Sequence, residues 1–299
     1  MRNSLACMLI VAVSGLSSAA AAAPVVLSDG APGRLVFVSK ETEKGTSIWR
    51  LNVVESGSNV PAVIAQSRGP ILSPEWSPDG NQLAYVGFEN GKSSVFIQDL
   101  QTGKVRALLK DLRGGGSPKW SPDGATIALA YGVDRNVDIY LVTLSTGELR
   151  RVTETPSIDT EPAWSPDGRK IAFTSDRLGS PLTFEVELDD VTTVRSLAVG
   201  LKQTFGPSYS PDGSALVMIV KDEAGLCVEL LDLQSGKRTR IGAGPLDESP
   251  SFSPDGKFVI YAAQHGALGS IEVVSVDGTV RQTLKSMNSL RDPSWSPVH

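Results

Sequence analysis

Cysteine and histidine are scarce in this sequence, with two of each among 299 residues. Cys7 lies in an apolar N-terminal segment that we expect to be removed, so Cys227 is the single thiol expected in the mature chain. One cysteine cannot form an intrachain disulfide, and the fold must therefore be stabilised by packing. Cys227 lies in the largely apolar stretch 226–231, which favours a buried thiol over a nucleophile.

The sequence also lacks the usual signatures of catalysis. His265 and His299 are the only histidines, and no G-x-S-x-G motif is present to support a Ser-His-Asp triad. No glycine-rich phosphate loop stands between a strand and a helix, and we expect no cofactor. These absences favour a binding module over an enzyme. The alternative is a carbohydrate-active lyase or glycosidase, because paired carboxylates can perform acid–base chemistry.

Long basic patches are absent, and the formal net charge is −5. Nucleic-acid binding requires a concentrated positive surface, so this balance argues against a nucleic-acid partner. After the N-terminal segment, no apolar stretch approaches the length that crosses a bilayer as a helix. We therefore expect no membrane span in the mature chain.

The N-terminal segment is typical of a secretory signal peptide. Arg2 provides a basic start, residues 5–16 are almost all apolar, and residues 17–23 are small. The apolar stretch is too short for a membrane anchor, which is the alternative. We predict a signal peptide over residues 1–22, a short leader over residues 23–33, and a periplasmic or secreted protein.

A five-residue motif, an aromatic residue followed by Ser-Pro-Asp-Gly, recurs at intervals of 43 to 45 residues. The aromatic residues are Trp76, Trp120, Trp164, Tyr209, Phe252 and Trp295. The Asp-Gly pairs are Asp79 and Gly80, Asp123 and Gly124, Asp167 and Gly168, Asp212 and Gly213, and Asp255 and Gly256. Five complete copies and a sixth that has only the aromatic residue, serine and proline predict six structural repeats.

Each repeat contains four short segments with strand character. In the third repeat they are residues 162–165, 170–175, 182–189 and 194–199. No window shows a sustained helical period. Four strands in about 44 residues is the signature of a propeller blade. The sequence therefore predicts an all-β, six-bladed β-propeller of antiparallel blades over residues 34–299, which we expect to be monomeric.

The motif itself has the chemistry of a hairpin turn. Proline fixes φ at the first central position of the turn, aspartate is well accommodated at the second, and glycine adopts the positive φ that follows. The aromatic residue is suited to packing against a neighbouring blade. The five aspartates could instead form a ring of metal or catalytic carboxylates, but a residue repeated at the same turn of every blade favours a structural role.

The two ends of the chain predict how the ring closes. Residues 34–40 resemble a second strand with no motif before it, and residues 47–54 and 62–65 complete three strands of that blade. Residues 292–297 form a first strand with nothing after it. We expect the C-terminal segment to supply the inner strand of the N-terminal blade, so that neither end leaves an open sheet edge.

The pattern P-x-W-S-P-D-G, followed by an apolar strand and a T-G turn, resembles the TolB family over about residues 34–297. This resemblance implies a periplasmic protein whose propeller binds the peptidoglycan-associated lipoprotein. Family members also carry a separate N-terminal α/β domain. Because only about ten residues separate the predicted signal peptide from the propeller, we expect that domain to be absent here.

Charged residues gather where each first strand is expected to begin. The position before the first-strand proline is occupied by Ser73, Ser117, Glu161, Gly206, Ser249 and Asp292. We expect these connections to meet at one mouth of the central tunnel and to bind an envelope protein or polymer. The candidate binding residues are Arg113, Asp159, Glu161, Asp247, Glu248, Arg291 and Asp292. The alternative is that they are solvated loop charges balanced by nearby arginines. The sequence leaves open whether a metal occupies the tunnel.

Overall fold

The computed structural model describes residues 33–55, 58, 60–89, 91–112, 115–133, 136–265, 268–284, 286 and 288–297. The predicted signal peptide, residues 1–22, lies outside the described residues, as does the predicted leader except for Gly33. Within the described ranges the regular structure is entirely β, with 24 strands in six four-stranded sheets. The predicted six-bladed β-propeller is confirmed.

The strands divide into four radial layers. The inner strands are β4 (Ile71–Trp76), β8 (Gly115–Trp120), β12 (Asp159–Trp164), β16 (Thr204–Tyr209), β20 (Asp247–Phe252) and β24 (Ser289–Trp295). The second strands are β1 (Arg34–Glu43), β5 (Gln82–Glu89), β9 (Thr126–Val133), β13 (Lys170–Ser175), β17 (Ala215–Asp222) and β21 (Phe258–His265). The third strands are β2 (Thr46–Glu55), β6 (Lys92–Asp99), β10 (Asn136–Thr143), β14 (Leu182–Glu187), β18 (Gly225–Asp232) and β22 (Leu268–Ser275). The outer strands are β3 (Ala62–Ser67), β7 (Val105–Leu112), β11 (Leu149–Arg151), β15 (Val194–Ser196), β19 (Arg238–Arg240) and β23 (Arg281–Leu284).

Blades are numbered here from the closing blade. Blade 1 contains β24, β1, β2 and β3 in that order, and blades 2 to 6 each contain four consecutive strands starting at β4, β8, β12, β16 and β20. All pairings within the blades are antiparallel. Every inner strand therefore runs in the same sense, from one end of the tunnel to the motif turn at the other end.

The closure of the ring follows the sequence prediction. β24 pairs with β1, with Leu35 opposite Trp295 and Val38 opposite Arg291. The backbone N–H of Arg34 also donates to Ser296 Oγ at 2.6 Å. The last strand of the chain thus covers the edge of the first, and the inner edge of blade 1 is paired.

Six hydrophobic clusters fill the six gaps between neighbouring blades. The cluster between blades 6 and 1 contains Phe37 and Trp295 from one side and Ile271 from the other. Cys227 belongs to the cluster between blades 4 and 5, where burial raises the pKa of its thiol to about 11. The prediction of a buried thiol is confirmed.

The motif aromatics pack between blades, as the wedge interpretation requires. Trp76, Trp120, Phe252 and Trp295 are buried, and the indole N–H of Trp76 donates to the carbonyl of Ser294 on the neighbouring inner strand. Tyr209 replaces tryptophan in blade 5, and its hydroxyl donates to the buried carboxylate of Glu185 in blade 4. The motif position therefore ties each blade to the preceding one.

The Ser-Pro-Asp-Gly turn is closed by a short network of hydrogen bonds. In blade 3, Gly124 N–H donates to the Ser121 carbonyl at 2.9 Å, and Gly124 has a φ of 71°. The Ser121 hydroxyl and the Ala125 N–H both donate to Asp123 Oδ1, at 2.5 and 3.0 Å. The motif aspartates of the other four turns accept the same two bonds. The structure thus places these aspartates in turns, where they organise the backbone.

The inner strands begin earlier than the sequence suggested. Blade 4 was expected to start its first strand at residue 162, but β12 starts at Asp159; the closing strand was expected at 292 and starts at Ser289. Five candidate residues expected in connecting loops lie on inner strands: Asp159, Glu161, Asp247, Glu248 and Arg291. Asp292 lies on the closing strand, as expected. The loop placement was wrong because a proline usually marks a strand boundary, whereas here it stands inside each strand at a bulge.

Deleting residues 289–299 should abolish cooperative folding, because β24 supplies the buried Leu290 and Trp295 and covers the edge of β1. Loss of a single buried tryptophan already costs about 3–5 kcal/mol. Thermal unfolding followed by circular dichroism measures the effect. The control deletion removes residues 298 and 299 alone and leaves β24 complete; an unchanged melting transition in the longer deletion would contradict the closure argument.

The motif turns should give the propeller an acid-sensitive stability. A hydrogen bond from the preceding serine lowers the pKa of Asp79, Asp123, Asp167 and Asp212 below the ordinary value of 3.8. The stabilisation is complete above pH 3.8 and is lost as the pH falls through the lower folded-state pKa values. Urea unfolding between pH 2 and pH 6 should therefore show a decline in unfolding free energy at the acid end.

The matched variant for this experiment is Asp123→Asn/Asp167→Asn/Asp212→Asn. Each asparagine retains a carbonyl oxygen that can accept the turn hydrogen bonds but no longer titrates. The acid decline should become shallower in this variant. An identical pH profile in both proteins would show that the turns do not contribute to it.

Candidate functional site

The starts of the six inner strands surround one end of the tunnel, which we call the bulge mouth. A cavity of about 440 Å³ opens there, and its lining includes all six residues that precede an inner-strand proline. Four predicted site residues besides Glu161 line the same cavity: Asp247, Glu248, Arg291 and Asp292. The structure therefore brings together five of the seven candidate residues, from blades 1, 4 and 6.

Each inner strand is interrupted at the residue before its proline. Those six residues have a φ between 49° and 55° and form a left-handed ring around the bulge mouth: Ser73, Ser117, Glu161, Gly206, Ser249 and Asp292. The pairing register of each inner strand shifts at the same place. A bulge of this kind bends the strand and redirects a side chain. Because L-residues pay about 1–2 kcal/mol for this conformation, the surrounding structure must hold the ring in place.

Asp292 links three blades of the ring. Its Oδ2 accepts the backbone N–H of Ser73 at 3.2 Å, and its Oδ1 accepts the hydroxyl of Ser249 at 3.0 Å. Ser73 belongs to blade 2 and Ser249 to blade 6, so this carboxylate bridges both neighbours of the closing strand. It is the most buried charged member of the ring, at 9% exposure.

Glu161 makes the equivalent link between blades 4 and 5. Its Oε2 accepts the Gly206 N–H and the Thr174 hydroxyl, both at 2.8 Å. The two hydrogen bonds that the described residues donate to Glu161 both end on this oxygen. Oε1 accepts no hydrogen bond from the described residues.

Glu248 and Arg291 form an ion pair across the gap between blades 6 and 1. Arg291 Nη2 lies 3.2 Å from Glu248 Oε2, and the two side chains are 37% and 45% exposed. Both side chains line the cavity and are partly exposed. Asp247 lies below it, fully buried, and its Oδ2 accepts the Val228 N–H at 3.3 Å.

One candidate residue does not line the cavity, and another lies outside the described residues. Asp159 is fully buried and pairs with Arg177, whose Nη2 is 3.2 Å from Oδ2. That arginine also stacks on Phe173 and Phe184 in blade 4. Asp159 therefore has a structural contact within its own blade. Arg113 lies outside the described residues.

A second ion pair links the inner strands of blades 2 and 3. Lys119 Nζ lies 2.6 Å from Glu75 Oε2, between blades 3 and 2. Lys119 lines both the upper cavity and a second cavity of about 280 Å³ at the motif-turn end. We call the Lys119–Glu75 pair the waist, because it lies where the two cavities meet.

The waist and the apolar wall of the cavity were not predicted from the sequence. Glu75 and Lys119 follow an inner-strand proline directly, where the other four blades carry the small residues Ala163, Ser208, Ser251 and Ser294. Comparing this position across repeats would have identified the two charges. The wall consists of Leu72, Phe205, Ile219 and Leu226, which have no such signal because they resemble core residues.

The mouth combines charged and apolar side chains. Among the described residues, no three His, Cys, Asp or Glu side chains are arranged to hold a metal ion. The part of the chain that the structure covers also contains no helix long and apolar enough to traverse a lipid bilayer. Carboxylates, one exposed ion pair and apolar side chains remain, and these provide electrostatic and hydrophobic contacts.

Comparison with known proteins decides the family. Residues 31–299 match the family described as the TolB beta propeller domain. The chain belongs to the TolB β-propeller family. A Tol-Pal system protein TolB of Xylella fastidiosa is 47% identical over 267 residues, covering 88% of this chain and 61% of that protein. This chain thus spans less than two thirds of the length of such relatives.

Solved structures of the family agree with the fold. TolB from Acinetobacter baumannii is 31% identical and superposes with a TM-score of 0.80, covering 89% of this chain and 67% of that one. An oligogalacturonate lyase from Vibrio parahaemolyticus is 14% identical with a TM-score of 0.54, covering 78% of this chain and 75% of that one. At that identity the likeness to the lyase shows the propeller fold alone.

Replacing Asp292 with alanine should destabilise the propeller. The change leaves the Ser73 N–H and the Ser249 hydroxyl without their acceptor, at a cost of about 1–3 kcal/mol. Asp292→Asn should retain most of the stability, because the amide oxygen can accept from Ser73 while its NH₂ donates to Ser249. Urea unfolding measures both variants.

Glu248→Ala is the control for Asp292, since it removes an exposed partner of an ion pair worth less than about 1 kcal/mol. Equal losses in Asp292→Ala and Glu248→Ala would show that Asp292 has no special structural role in the ring.

Proposed function

We propose that this chain is an exported binding module that recruits a protein of the cell envelope through the bulge mouth. The observation that carries the proposal is the cavity of about 440 Å³ into which the inner strands of blades 1, 4 and 6 bring charged side chains. Its size falls within the range of about 300–1,000 Å³ typical of binding sites. The residues proposed to make contact are Glu161, Glu248, Arg291 and Asp292.

The family suggests the setting and the partner. The relatives are named as Tol-Pal system proteins, and the partner we propose is the peptidoglycan-associated lipoprotein. We also propose that residues 1–22 direct export and are removed after Ala22, which places the mature chain in the periplasm. A mature N-terminus at Ala23, read by mass spectrometry of the periplasmic fraction, is the corresponding observation.

The arrangement of charges suits a protein partner. Glu248 and Arg291 are both partly exposed at the rim, where complementary charges steer association more than they add affinity. The apolar side chains of Phe205 and Leu226 line the same cavity. Protein interfaces combine apolar contacts with polar groups in this way.

Cross-linking in living cells tests the proposal. A photo-reactive amino acid at position 248 should capture the peptidoglycan-associated lipoprotein, because Glu248 is at the rim and its side chain is 45% exposed. The matched control is position 101, an exposed residue in the turn before β7, at the opposite end of the tunnel. Capture is read by immunoblot and mass spectrometry.

Capture from position 101 but not from position 248 would place the interface at the motif-turn end and overturn the proposal. Capture from neither position in cells that export the protein would contradict an envelope partner at the tunnel.

A further inference from the structure

We propose that the bulge mouth accepts one lysine or arginine side chain of the partner, with its alkyl stem on the wall of blade 5 and its cationic head at Glu161. This inference rests on the proposed function, because it specifies what the bound protein inserts. It follows from three features of the cavity: a gap in the left-handed ring, an apolar wall behind the gap, and an excess of negative charge.

The gap is at Gly206. It is the one ring position without a side chain; the other five carry serine, glutamate or aspartate. A Cβ placed on Gly206 would meet its nearest neighbours, Pro250 Cδ and Glu161 Oε1, only at 3.9 and 4.0 Å. A side-chain carbon at Gly206 would therefore fit without a clash, in ordinary van der Waals contact with Glu161, and the glycine leaves that volume unfilled.

The wall behind the gap is apolar and belongs to blade 5. Phe205, Ile219 and Leu226 line the cavity there, and Leu72 lines it from blade 2. Leu226 is held in position because its N–H donates to the Pro245 carbonyl at 2.8 Å. Lysine and arginine carry three or four methylene groups below the charge, and such stems pack on apolar surface while the head stays among polar groups.

The charged side chains that line the cavity favour the binding of a cation. The cavity is lined by two basic side chains in the described part of the chain, and each already has a carboxylate partner: Lys119 at 2.6 Å from Glu75, and Arg291 at 3.2 Å from Glu248. Glu161 has no ion-pair partner among the described residues. Asp292 adds a second negative charge, approached by Arg291 Nε at 3.9 Å. A cationic head near Glu161 Oε1 gains a charge-assisted hydrogen bond.

The waist limits how far the side chain can enter. Lys119 lies at the floor of the cavity, where the upper and lower cavities meet. A second cationic head at this level would have to compete with Lys119 for Glu75, so we expect the head to stop at the level of the ring. One side chain rather than a threaded peptide is therefore the expected guest.

Titration with small amides tests the inference on the complete mature chain. N-acetyl-arginine amide and N-acetyl-lysine amide should shift the methyl resonances of Ile219 and Leu226 in NMR spectra. They should bind about tenfold more tightly than N-acetyl-norleucine amide, which has the stem without the charge, because a charge-assisted hydrogen bond is worth about that factor. N-acetyl-glutamate amide should not shift these signals.

Two variants locate the site. Glu161→Gln keeps an acceptor for Gly206 and Thr174 but removes the charge, and should weaken the two cationic probes about tenfold without changing the norleucine probe. Gly206→Ser fills the gap and should weaken all three probes. Serine already occupies this backbone conformation at positions 73, 117 and 249, so the fold should persist, which the melting temperature checks.

The matched control is Glu223→Gln, an exposed carboxylate in the hairpin between β17 and β18 on the same side of the propeller. It should leave all affinities unchanged. The inference is overturned if Glu223→Gln weakens binding as much as Glu161→Gln, if the norleucine probe binds as well as the cationic probes, or if the glutamate probe binds best.

The outcomes separate this inference from the proposed function. Selective binding of the cationic probes without any cross-link from position 248 would support the cation site at Glu161 and overturn the envelope-protein proposal. A cross-link from position 248 without selective binding of the cationic probes would overturn the lysine or arginine inference alone.

Discussion

The pairing of β24 with β1 is the interaction on which the rest of this molecule depends. Apolar packing between blades holds the propeller together, and each of the six clusters needs side chains from two blades. Without β24, the cluster between blades 6 and 1 would lose Leu290 and Trp295, and the ring position at Asp292 would be missing. Scaffold stability and the completeness of the bulge mouth are therefore determined by the same strand.

The bulge before each inner-strand proline is a repeated backbone feature at which the side chain differs between blades. Proline has no N–H to donate, so the inner strand can leave the regular ladder there without losing a hydrogen bond from that residue. The six bulges share one backbone conformation but carry Ser, Glu, Gly or Asp. Two of these side chains, Glu161 and Asp292, accept hydrogen bonds from the backbone of the next blade, which fixes the position of both carboxylates.

The sequence predicted the blade number, the ring closure and the second strands well, because each rests on a strong local pattern. The second strand of blade 4 was placed at residues 170–175, and the structure has Lys170–Ser175. The convergence of Glu161, Glu248, Arg291 and Asp292 also followed from the repeat register. The pairing of Asp159 with Arg177 did not follow from the repeat register, because Arg177 lies in a turn 18 residues further along the chain. The positive φ at Glu161 and Asp292 has no local signal, since neither residue type demands it.

The unequal side chains of the left-handed ring have a consequence for orientation. Six nearly equivalent blades would offer a ligand six rotational settings of similar energy. Gly206 beside Glu161, with Asp292 two blades further on, marks one direction around the axis. A partner that touches the mouth can thus be held in a single rotational orientation around the propeller axis. Three of the 299 residues are enough to define that orientation on a repetitive scaffold.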